Sequence, residues 1–537
     1  MSATHEVTNQ PPPLTGYDAY GTDPALVEAV HRHGGDFAGS ELAALGRLAG
    51  SEWAREWAVQ ADTHPPVLRT HDRYGHRIDE VEFHPAWHEL MWVAVGHGLH
   101  GPAWVDPEPA PHLRRAAATY LWYQVEAGHV CPISMTYAVV PALRHSPDLA
   151  ARYEPGLTST SYDFGLRPPE SKSGLIAGMG MTEKQGGSDV RANTTRAVLA
   201  ADGTARLTGH KWFLSAPMSD LFLVLAQAPA GLSCFCVPRV LPDGSRNAIR
   251  LQRLKDKLGN RSNASAEVEF DGAVGWPVGP AGRGVPTIIE MVTMTRLDCV
   301  IGSAATMRQA TAQAIHHATF RAAFGGPLRD TPLMRAVLAD LAVETEAATA
   351  LALRLAAAVD ASEDALSRLG TAVGKFWVCK RTPTVVAEAL ECLGGNGYVE
   401  DSGLPRLYRE APLNSLWEGA GNVIALDVLR AMARQPESVS AFLAEVDSAA
   451  GADVRLDRAA ARLRDELSDA GSGPGRARRV AASMALVLQG SLLVRYAPGP
   501  VADAFCASRL GGDWGHVLGT LGPAADIGAI VDRAAPE

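Results

Sequence analysis

The chain contains 537 residues with a mass of 56.8 kDa, more than one hydrophobic core usually supports, so about three or four folding units are expected. Hydrophobic residues make up 47% of the chain and charged residues 20%, a balance that excludes wholesale disorder. The 59 acidic residues outnumber the 49 lysines and arginines. The resulting net charge of −10 argues against a chain built mainly to wrap nucleic acid, although a local basic patch remains compatible with it.

The first part of the chain, residues 1–173, is predicted to be a helical domain. Proline-rich loops interrupt it, and between them the stretches 84–99 and 113–127 carry apolar residues at the 3.6-residue spacing of buried helices. His84, His88 and Glu89 suggest a metal-binding helix. Trp92 stands where the metalloprotease motif needs its second histidine, so no metal site is predicted.

The pattern changes in the second part, residues 174–283, which is predicted to be a compact antiparallel β domain. Short runs rich in branched or aromatic residues are separated by glycine, proline, aspartate and asparagine, as is typical of strands and turns. The predicted strands are residues 206–215, 220–226, 232–238 and 266–270.

The helical period returns in residues 284–434, which are predicted to form a bundle of long helices rich in alanine and leucine. A fourth region, residues 435–537, begins with Pro436 and is predicted to be an additional helical domain. The predicted fold class is therefore α+β and mainly α. The order of elements alone does not define a function.

The cellular setting is predicted to be the cytoplasm. Seven scattered cysteines without paired spacing favour a reducing compartment. The first residues lack the basic and apolar regions of a signal peptide. The longest apolar run, residues 480–494, is shorter than the roughly 20 residues of a membrane helix.

The strongest local motif is MGMTEKQGGSDV at residues 179–190. Thr182 and Ser188 offer hydroxyl groups, and Gly186 and Gly187 allow the backbone to approach a ligand, as at the edge of a flavin or at a phosphate. The alternative is a polar turn between the helical domain and the first strand. On spacing alone that alternative is favoured, because glycine-rich turns are common.

A second motif, LWEGAGNVIALDVLR, covers residues 416–430. Glu418 follows Trp417, and Asn422 is predicted to be the N-cap of the next helix, whose free N–H groups favour anions. A carboxylate held against an indole in a dry pocket would have a raised pKa, as suits a base that removes a carbon-bound proton. The alternative, an ordinary helix start with a solvated glutamate, is favoured for the motif taken by itself.

A third pair of motifs, RAAFGGPL at residues 321–328 and LGGNGY at residues 393–398, combines an arginine with glycine turns. A guanidinium group matches the geometry of a pyrophosphate, so Arg321 is a candidate phosphate ligand. The alternative is a helix that ends in an arginine and a glycine cap.

Together, the order and the amino-acid sequences of these motifs resemble those of the acyl-CoA dehydrogenase superfamily. The resemblance is strongest to its AidB branch, the flavoproteins of the bacterial alkylation response. The resemblance spans three of the four regions, and an additional C-terminal domain is itself characteristic of that branch. The segments that carry it are GMGMTEKQGGSDVRANTTRA (178–197), GHKWFLSAP (209–217), RLKDKLGNRSNASAEVEF (253–270) and LPRLYREAPLNSLWEGAGNVIALDVLR (404–430).

The resemblance implies the acyl-CoA dehydrogenase fold, bound FAD and a homotetramer. Arg321 and Phe324 correspond to the place where the superfamily holds the FAD pyrophosphate across a subunit interface, and Gly394 and Gly395 correspond to its adenine-side loop. The implied cofactor-binding residues are Met179, Gly180, Met181, Thr182, Glu183, Lys184, Gln185, Gly186, Gly187, Ser188, Phe213, Leu214, Ser215, Arg321, Leu416, Trp417, Glu418, Gly419, Ala420, Gly421, Asn422, Val423, Ile424, Ala425 and Leu426.

The resemblance also implies the catalytic residue. Glu418 corresponds to the glutamate that removes the α-proton of an acyl-CoA while a β-hydride passes to the flavin. One branch of the superfamily carries its base one residue before an arginine on another helix. The equivalent pair here is Thr295 and Arg296, which leaves Glu418 as the candidate.

Two classes of function follow from the resemblance. The first is weak dehydrogenation of short or branched acyl-CoA. The second is binding and protection of double-stranded DNA, with Arg430 at an implicated position. In residues 441–537 twelve acidic residues face ten arginines, and Arg476, Arg478 and Arg479 form the one dense basic cluster, so the sequence supports this second class only weakly.

Overall fold

The computed structural model describes residues 4–34, 39–468 and 473–536, which pack as two compact units. Each unit combines stretches that are far apart in the chain, and the predicted four-domain division remains a prediction. The first unit comprises Met1–Arg55, His112–Val125 and Cys299–Glu537, and the second comprises Glu56–Pro111 and Glu126–Asp298.

The helices and strands follow the predicted order. The helices are α1 Pro24–Gly34, α2 Gly39–Ala49, α3 Glu52–Thr63, α4 Pro85–Gly96, α5 Pro111–Tyr123, α6 Val130–Leu143, α7 Pro147–Leu157, α8 Gly284–Phe320, α9 Pro332–Asp360, α10 Asp364–Cys392, α11 Leu404–Glu410, α12 Gly421–Arg434, α13 Pro436–Asp447, α14 Val454–Ser468, α15 Ala477–Tyr496, α16 Gly499–Phe505 and α17 Ile527–Ala534. The strands are β1 Val67–His71, β2 Arg77–Glu82, β3 Ala177–Gly180, β4 Arg196–Leu199, β5 Ala205–Ser215, β6 Leu221–Ala228, β7 Gly231–Pro238, β8 Ile249–Leu254, β9 Ser265–Val278, β10 Ala322–Ala323 and β11 Gly326–Pro327.

A seven-stranded sheet forms the centre of the second unit, with the strand order β3-β5-β4-β6-β7-β9-β8. The strand pairs β3–β5, β4–β5, β5–β9, β6–β7, β7–β9 and β8–β9 are antiparallel, as predicted. The sequence analysis did not predict that β3 and β4 also run parallel to β6, a strand whose apolar run is buried almost throughout, as is typical of a strand inside a mixed sheet. The short strands β3, β4 and β8 were not predicted from the sequence.

The helical part of the second unit contains a hairpin, β1–β2, that the sequence analysis missed. Arg77 joins this hairpin to the sheet by donating from Nη2 to the carbonyl oxygen of Leu251, 2.7 Å away. His84 caps α4, since its Nδ1 accepts a hydrogen bond from the Ala86 N–H at 3.2 Å. Among the described residues no group of three or more histidine, cysteine, aspartate or glutamate side chains could hold a metal ion.

Long helices form the core of the first unit, where α9 and α10 pack closely together. A Cβ atom on Gly370 of α10 would lie 2.7 Å from the Leu355 side chain of α9, so glycine is what permits the approach. The C-terminal region is fastened to the same helices by buried ion pairs. Arg509 contacts Asp340 and Glu344 of α9, the latter at 2.8 Å.

One stretch of the described chain, Pro474–Tyr496, is long and apolar enough to cross a membrane by length and composition alone. It includes α15, and 67% of its apolar window is buried inside the protein. Burial of this kind is the pattern of a core helix, which passes the same test.

Candidate cofactor and acyl-CoA site

The segment 179–188 lies in the second unit, where β3 ends against β5. A Cβ atom on Gly180 would lie 2.9 Å from the Leu214 side chain, so the glycine allows the two strands to meet. The loop is then tied down through its backbone. The Trp212 N–H donates to the Thr182 carbonyl oxygen at 2.8 Å, and Asn193 Nδ2 donates to the Met181 carbonyl oxygen at 2.9 Å.

Glu183 is fully buried inside this loop, and its carboxylate accepts five hydrogen bonds. The donors are Lys211 Nζ at 2.8 Å, the Thr194 N–H and hydroxyl at 2.6 and 2.9 Å, the Thr195 N–H at 3.1 Å and Gln185 Nε2 at 2.7 Å. Burial acts to raise the pKa of Glu183, but these hydrogen bonds and the Lys211 charge outweigh it and hold the pKa well below 4.5. The carboxylate therefore stabilises the loop itself.

The tip of the loop is open to solvent. Lys184, Gln185, Gly186 and Ser188 are exposed, while Thr182 is half-buried. A Cβ atom on Gly187 would lie 2.4 Å from the Thr182 hydroxyl oxygen, so glycine lets that hydroxyl sit against the turn. The two hydroxyl groups singled out from the sequence thus belong to one glycine-rich turn.

The end of β5 presents an aromatic surface. Phe213 is 45% exposed, Leu214 is buried and Ser215 is half-buried. Lys255 Nζ lies 3.2 Å from the ring centroid of Trp212 and 4.6 Å from that of Phe213, which adds a cation–π contact. The sequence analysis did not single out Trp212 or Lys255, although both lie within the motifs that carry the resemblance.

Glu418 lies in the first unit on a backbone turn that few residues adopt. Its φ is +56° and that of Gly419 is +102°, so a non-glycine residue occupies the left-handed region. The ammonium group of Lys375 on α10 holds this turn. It donates to the carbonyl oxygens of Trp417 at 2.7 Å and Gly419 at 2.6 Å, on either side of Glu418.

The indole of Trp417 is fixed as well. Its Nε1 donates to Asn414 Oδ1 at 2.8 Å, and the buried Asn414 amide donates in turn to Tyr123 and Ser303, each at 3.2 Å. Both the backbone and the neighbouring ring of Glu418 are therefore held by polar groups of the helical core.

Helix α12 begins at Gly421 with Ala420 as its N-cap, so the prediction of Asn422 as the N-cap is wrong. The physical reason is that Ala420 already has the extended backbone of a cap after the two left-handed residues. Asn422 instead accepts a hydrogen bond from Arg478 at 3.0 Å. In the first turns of α12, Ile424 and Ala425 are buried, Val423 is half-buried and Leu426 is exposed. Leu416, which precedes the helix, is also exposed.

Arg321 follows the end of α8 and leads into the two-stranded hairpin β10–β11. Its Nη1 donates to the Asn9 carbonyl oxygen at 2.5 Å, and the Asn9 side chain forms two hydrogen bonds of 2.8 Å with the Ala322 backbone. Phe324 at the tip of the hairpin has a φ of +56° and is 99% exposed. Gly394 and Gly395 are exposed in a separate helical turn.

The candidate DNA-binding arginines have partners within the protein. Arg430 lies 3.1 Å from Asp427 and keeps 53% of its side chain exposed. Arg478 donates to Asn422, and Arg479 pairs with Glu466 at 2.9 Å.

With this geometry established, the comparisons with known proteins identify the class. Residues 9–164 match the N-terminal domain of the adaptive response protein AidB, residues 178–273 the middle domain of acyl-CoA dehydrogenases, and residues 282–433 their C-terminal domain. The chain is a member of the acyl-CoA dehydrogenase family, of the AidB type.

Individual relatives agree with this assignment. AidB of Escherichia coli (strain K12), provisionally designated an acyl-CoA dehydrogenase, is 48% identical over 94% of both chains. Acyl-CoA dehydrogenase family member 11 of Caenorhabditis elegans is 34% identical over 78% of this chain and 68% of its own. The crystal structure of Caenorhabditis elegans ACDH-11 in complex with C11-CoA has a TM-score of 0.87 and 28% identity, and covers 95% of this chain and 94% of that one.

Proposed function

We propose that the protein binds FAD and catalyses α,β-dehydrogenation of an acyl-CoA, with Glu418 as the base. The observation that carries the proposal is the turn at Glu418, where a buried ammonium group holds the backbone on both sides of the carboxylate-bearing residue in a conformation disfavoured for glutamate. Such a constraint is typical of functional residues. Membership of the acyl-CoA dehydrogenase family supports the same reaction.

Each unit contains residues whose chemistry suits part of an FAD molecule. In the second unit Phe213 is 45% exposed, and in the first unit Leu416 is 62% exposed, each on a segment that the resemblance assigns to the cofactor. An exposed apolar side chain of this size can pack against a flat ring system. The Thr182 turn offers hydroxyl and N–H donors, and Arg321 offers a guanidinium group for a pyrophosphate.

The chemistry divides between the cofactor and the chain. FAD, when bound, supplies the acceptor for a hydride from the β-carbon of the substrate. Glu418 in its ionised form takes the proton from the α-carbon and holds it on a carboxylate oxygen. The alternative position is unsuitable for a base, because Thr295 is buried and donates its hydroxyl hydrogen to the Val292 carbonyl oxygen at 3.0 Å.

We also propose that the active protein is a homo-oligomer, as the resemblance to the superfamily implies. Phe324, Tyr398 and Leu333 are large apolar side chains with at least four-fifths of their surface exposed. Phe324 lies three residues after Arg321, so a second copy that covered it would approach the arginine assigned to the pyrophosphate.

Binding of double-stranded DNA is a second proposal, carried by the exposed guanidinium of Arg430. Its carboxylate neighbour and the net charge of −10 both weaken attraction to phosphate. We therefore regard DNA binding as less well supported than the dehydrogenase reaction.

The deciding experiment is an anaerobic titration of the purified, FAD-loaded protein, followed by visible absorption. Butyryl-CoA, isovaleryl-CoA and the C11-CoA bound by the relative would be compared. Bleaching of the flavin band by any of them supports the dehydrogenase half-reaction, and the ligand that bleaches it fastest indicates the preferred chain. A bound flavin that none of them bleaches contradicts the proposal, and a duplex-DNA titration against salt would follow.

A further inference from the structure

The contact between Lys375 and the Glu418 turn is unusual because it joins a buried ammonium group to backbone carbonyl oxygens. Lys375 is 1% exposed, so its ammonium group has left water almost completely. Among the described residues its hydrogen-bond partners are the carbonyl oxygens of Trp417 and Gly419, and it forms no ion pair with a carboxylate. The buried lysines of the second unit differ, since Lys211 pairs with Glu183 and Lys172 with Asp220.

A buried cation held only by carbonyl dipoles is costly compared with an apolar side chain of the same size. A methionine at position 375 would fill similar space without that cost. The presence of lysine therefore calls for a role that depends on its donors, on its charge, or on both.

The donors act on the backbone around the candidate base. The two carbonyl groups belong to the peptide before Glu418 and the peptide after Gly419, so Lys375 clamps the whole left-handed pair. The direction in which the Glu418 side chain leaves the backbone depends on these two residues. A clamp on both sides fixes that direction before any substrate binds.

We propose that Lys375 is a positioning residue for the Glu418 base, because it holds the backbone on both sides of Glu418 through two carbonyl groups. This inference rests on the proposed function, since it assigns Lys375 a part in that reaction. The clamp can nevertheless be measured without acyl-CoA.

The test uses the full chain with FAD and three substitutions. Lys375→Met removes donors and charge, and Lys375→Gln removes the charge and shortens the side chain by one bond, so that its amide cannot reach both carbonyl groups. Arg368→Met is the matched control, because Arg368 is a cation on the same helix that joins α10 to Asp427 of α12 at 3.0 Å and does not contact the Glu418 turn.

The first measurement is hydrogen exchange of the peptide that covers residues 416–421. We expect exchange at least about tenfold faster in Lys375→Met, with the Arg368→Met protein close to the unmodified one. If Lys375→Met does not fold, Lys375→Gln serves in its place. Unchanged exchange in a folded Lys375 variant would overturn the clamp.

The second measurement is the rate of flavin bleaching by acyl-CoA at saturating ligand, with the dissociation constant of the ligand measured alongside. We expect the rate in Lys375→Met and in Lys375→Gln to fall at least about tenfold while the dissociation constant stays within about twofold, because only the orientation of the base changes. A bleaching rate equal to that of Arg368→Met would overturn the positioning role. Absence of flavin bleaching by acyl-CoA in the unmodified protein would instead count against the proposed function, while the hydrogen-exchange measurement would still decide the clamp.

Discussion

Two glutamates on the predicted cofactor segments are held in opposite ways. At Glu183 a buried lysine and several neighbouring donors all bind the carboxylate, and the side chain is fully buried. At Glu418 a buried lysine binds the backbone on either side, and the residue is only half-buried on a left-handed turn.

The difference separates a structural carboxylate from a candidate catalytic one. A carboxylate saturated with hydrogen bonds has a strongly lowered pKa and little basicity, so Glu183 is a poor proton acceptor near neutral pH. At Glu418 the buried lysine donates to backbone carbonyl groups and not to the side-chain oxygens. Lysine in both places shows that the residue type alone does not reveal the role; the atoms it contacts do.

The largest expected effect is on chemistry, from Glu418→Gln. The rate of flavin bleaching by acyl-CoA should fall roughly 10²–10⁴-fold, because an amide cannot accept the α-proton. FAD should remain bound, since the substitution preserves size and leaves the Lys375 contacts intact. Stopped-flow absorption measures the rate. Retained bleaching would remove Glu418 as the base.

The next effect is on stability, from Glu183→Gln. The substitution leaves the Lys211 ammonium buried without a counter-charge, so we expect the free energy of unfolding to fall by about 3–5 kcal/mol in urea denaturation. Asp271→Asn is the matched control. Its partner Arg250 and Asp271 itself are about half exposed, so the loss should be below about 1 kcal/mol. Equal losses in the two variants would show that the Glu183 pair is no more than a surface pair.

A smaller effect is the pH dependence of the contribution that Glu183 makes to the free energy of unfolding. Because the pKa of Glu183 is lowered from 4.5 in the folded state, its stabilising contribution is complete above pH 4.5 and is lost as the pH falls towards the folded pKa. The difference in unfolding free energy between the unmodified protein and Glu183→Gln should therefore shrink below pH 4.5. Urea midpoints measured across this range test the sign, and a constant difference would contradict it.

The smallest effect concerns the DNA alternative. If Arg430 contacts a phosphate, Arg430→Ala should lower the slope of log affinity against log salt by about one. Arg434→Ala, at the end of the same helix, is a suitable comparison. Fluorescence anisotropy with a labelled duplex measures both, and an unchanged slope would exclude the contact.

The family was predictable because its motifs are local in the chain. Thr182, Phe213 and Glu418 stand in long, specific strings, and the family assignment they implied is confirmed by the matches to known proteins. The roles of individual residues within those strings were less accessible. Glu183 was grouped with the cofactor residues, although its carboxylate is occupied by the loop itself, and Asn422 was expected to cap a helix that begins at Gly421.

The sequence by itself determined the order of helical and strand regions, the family and the candidate base, because each depends on neighbouring residues in the chain. The tertiary structure decided the parallel pairing of β3 and β4 with β6 and the partners of the buried lysines. Lys375 contacts carbonyl groups 42 and 44 residues away, and Lys211 contacts a carboxylate 28 residues away. Hydrogen bonds form over about 3 Å in space, whatever the separation in the chain, so only the packed fold assigns each lysine its partner.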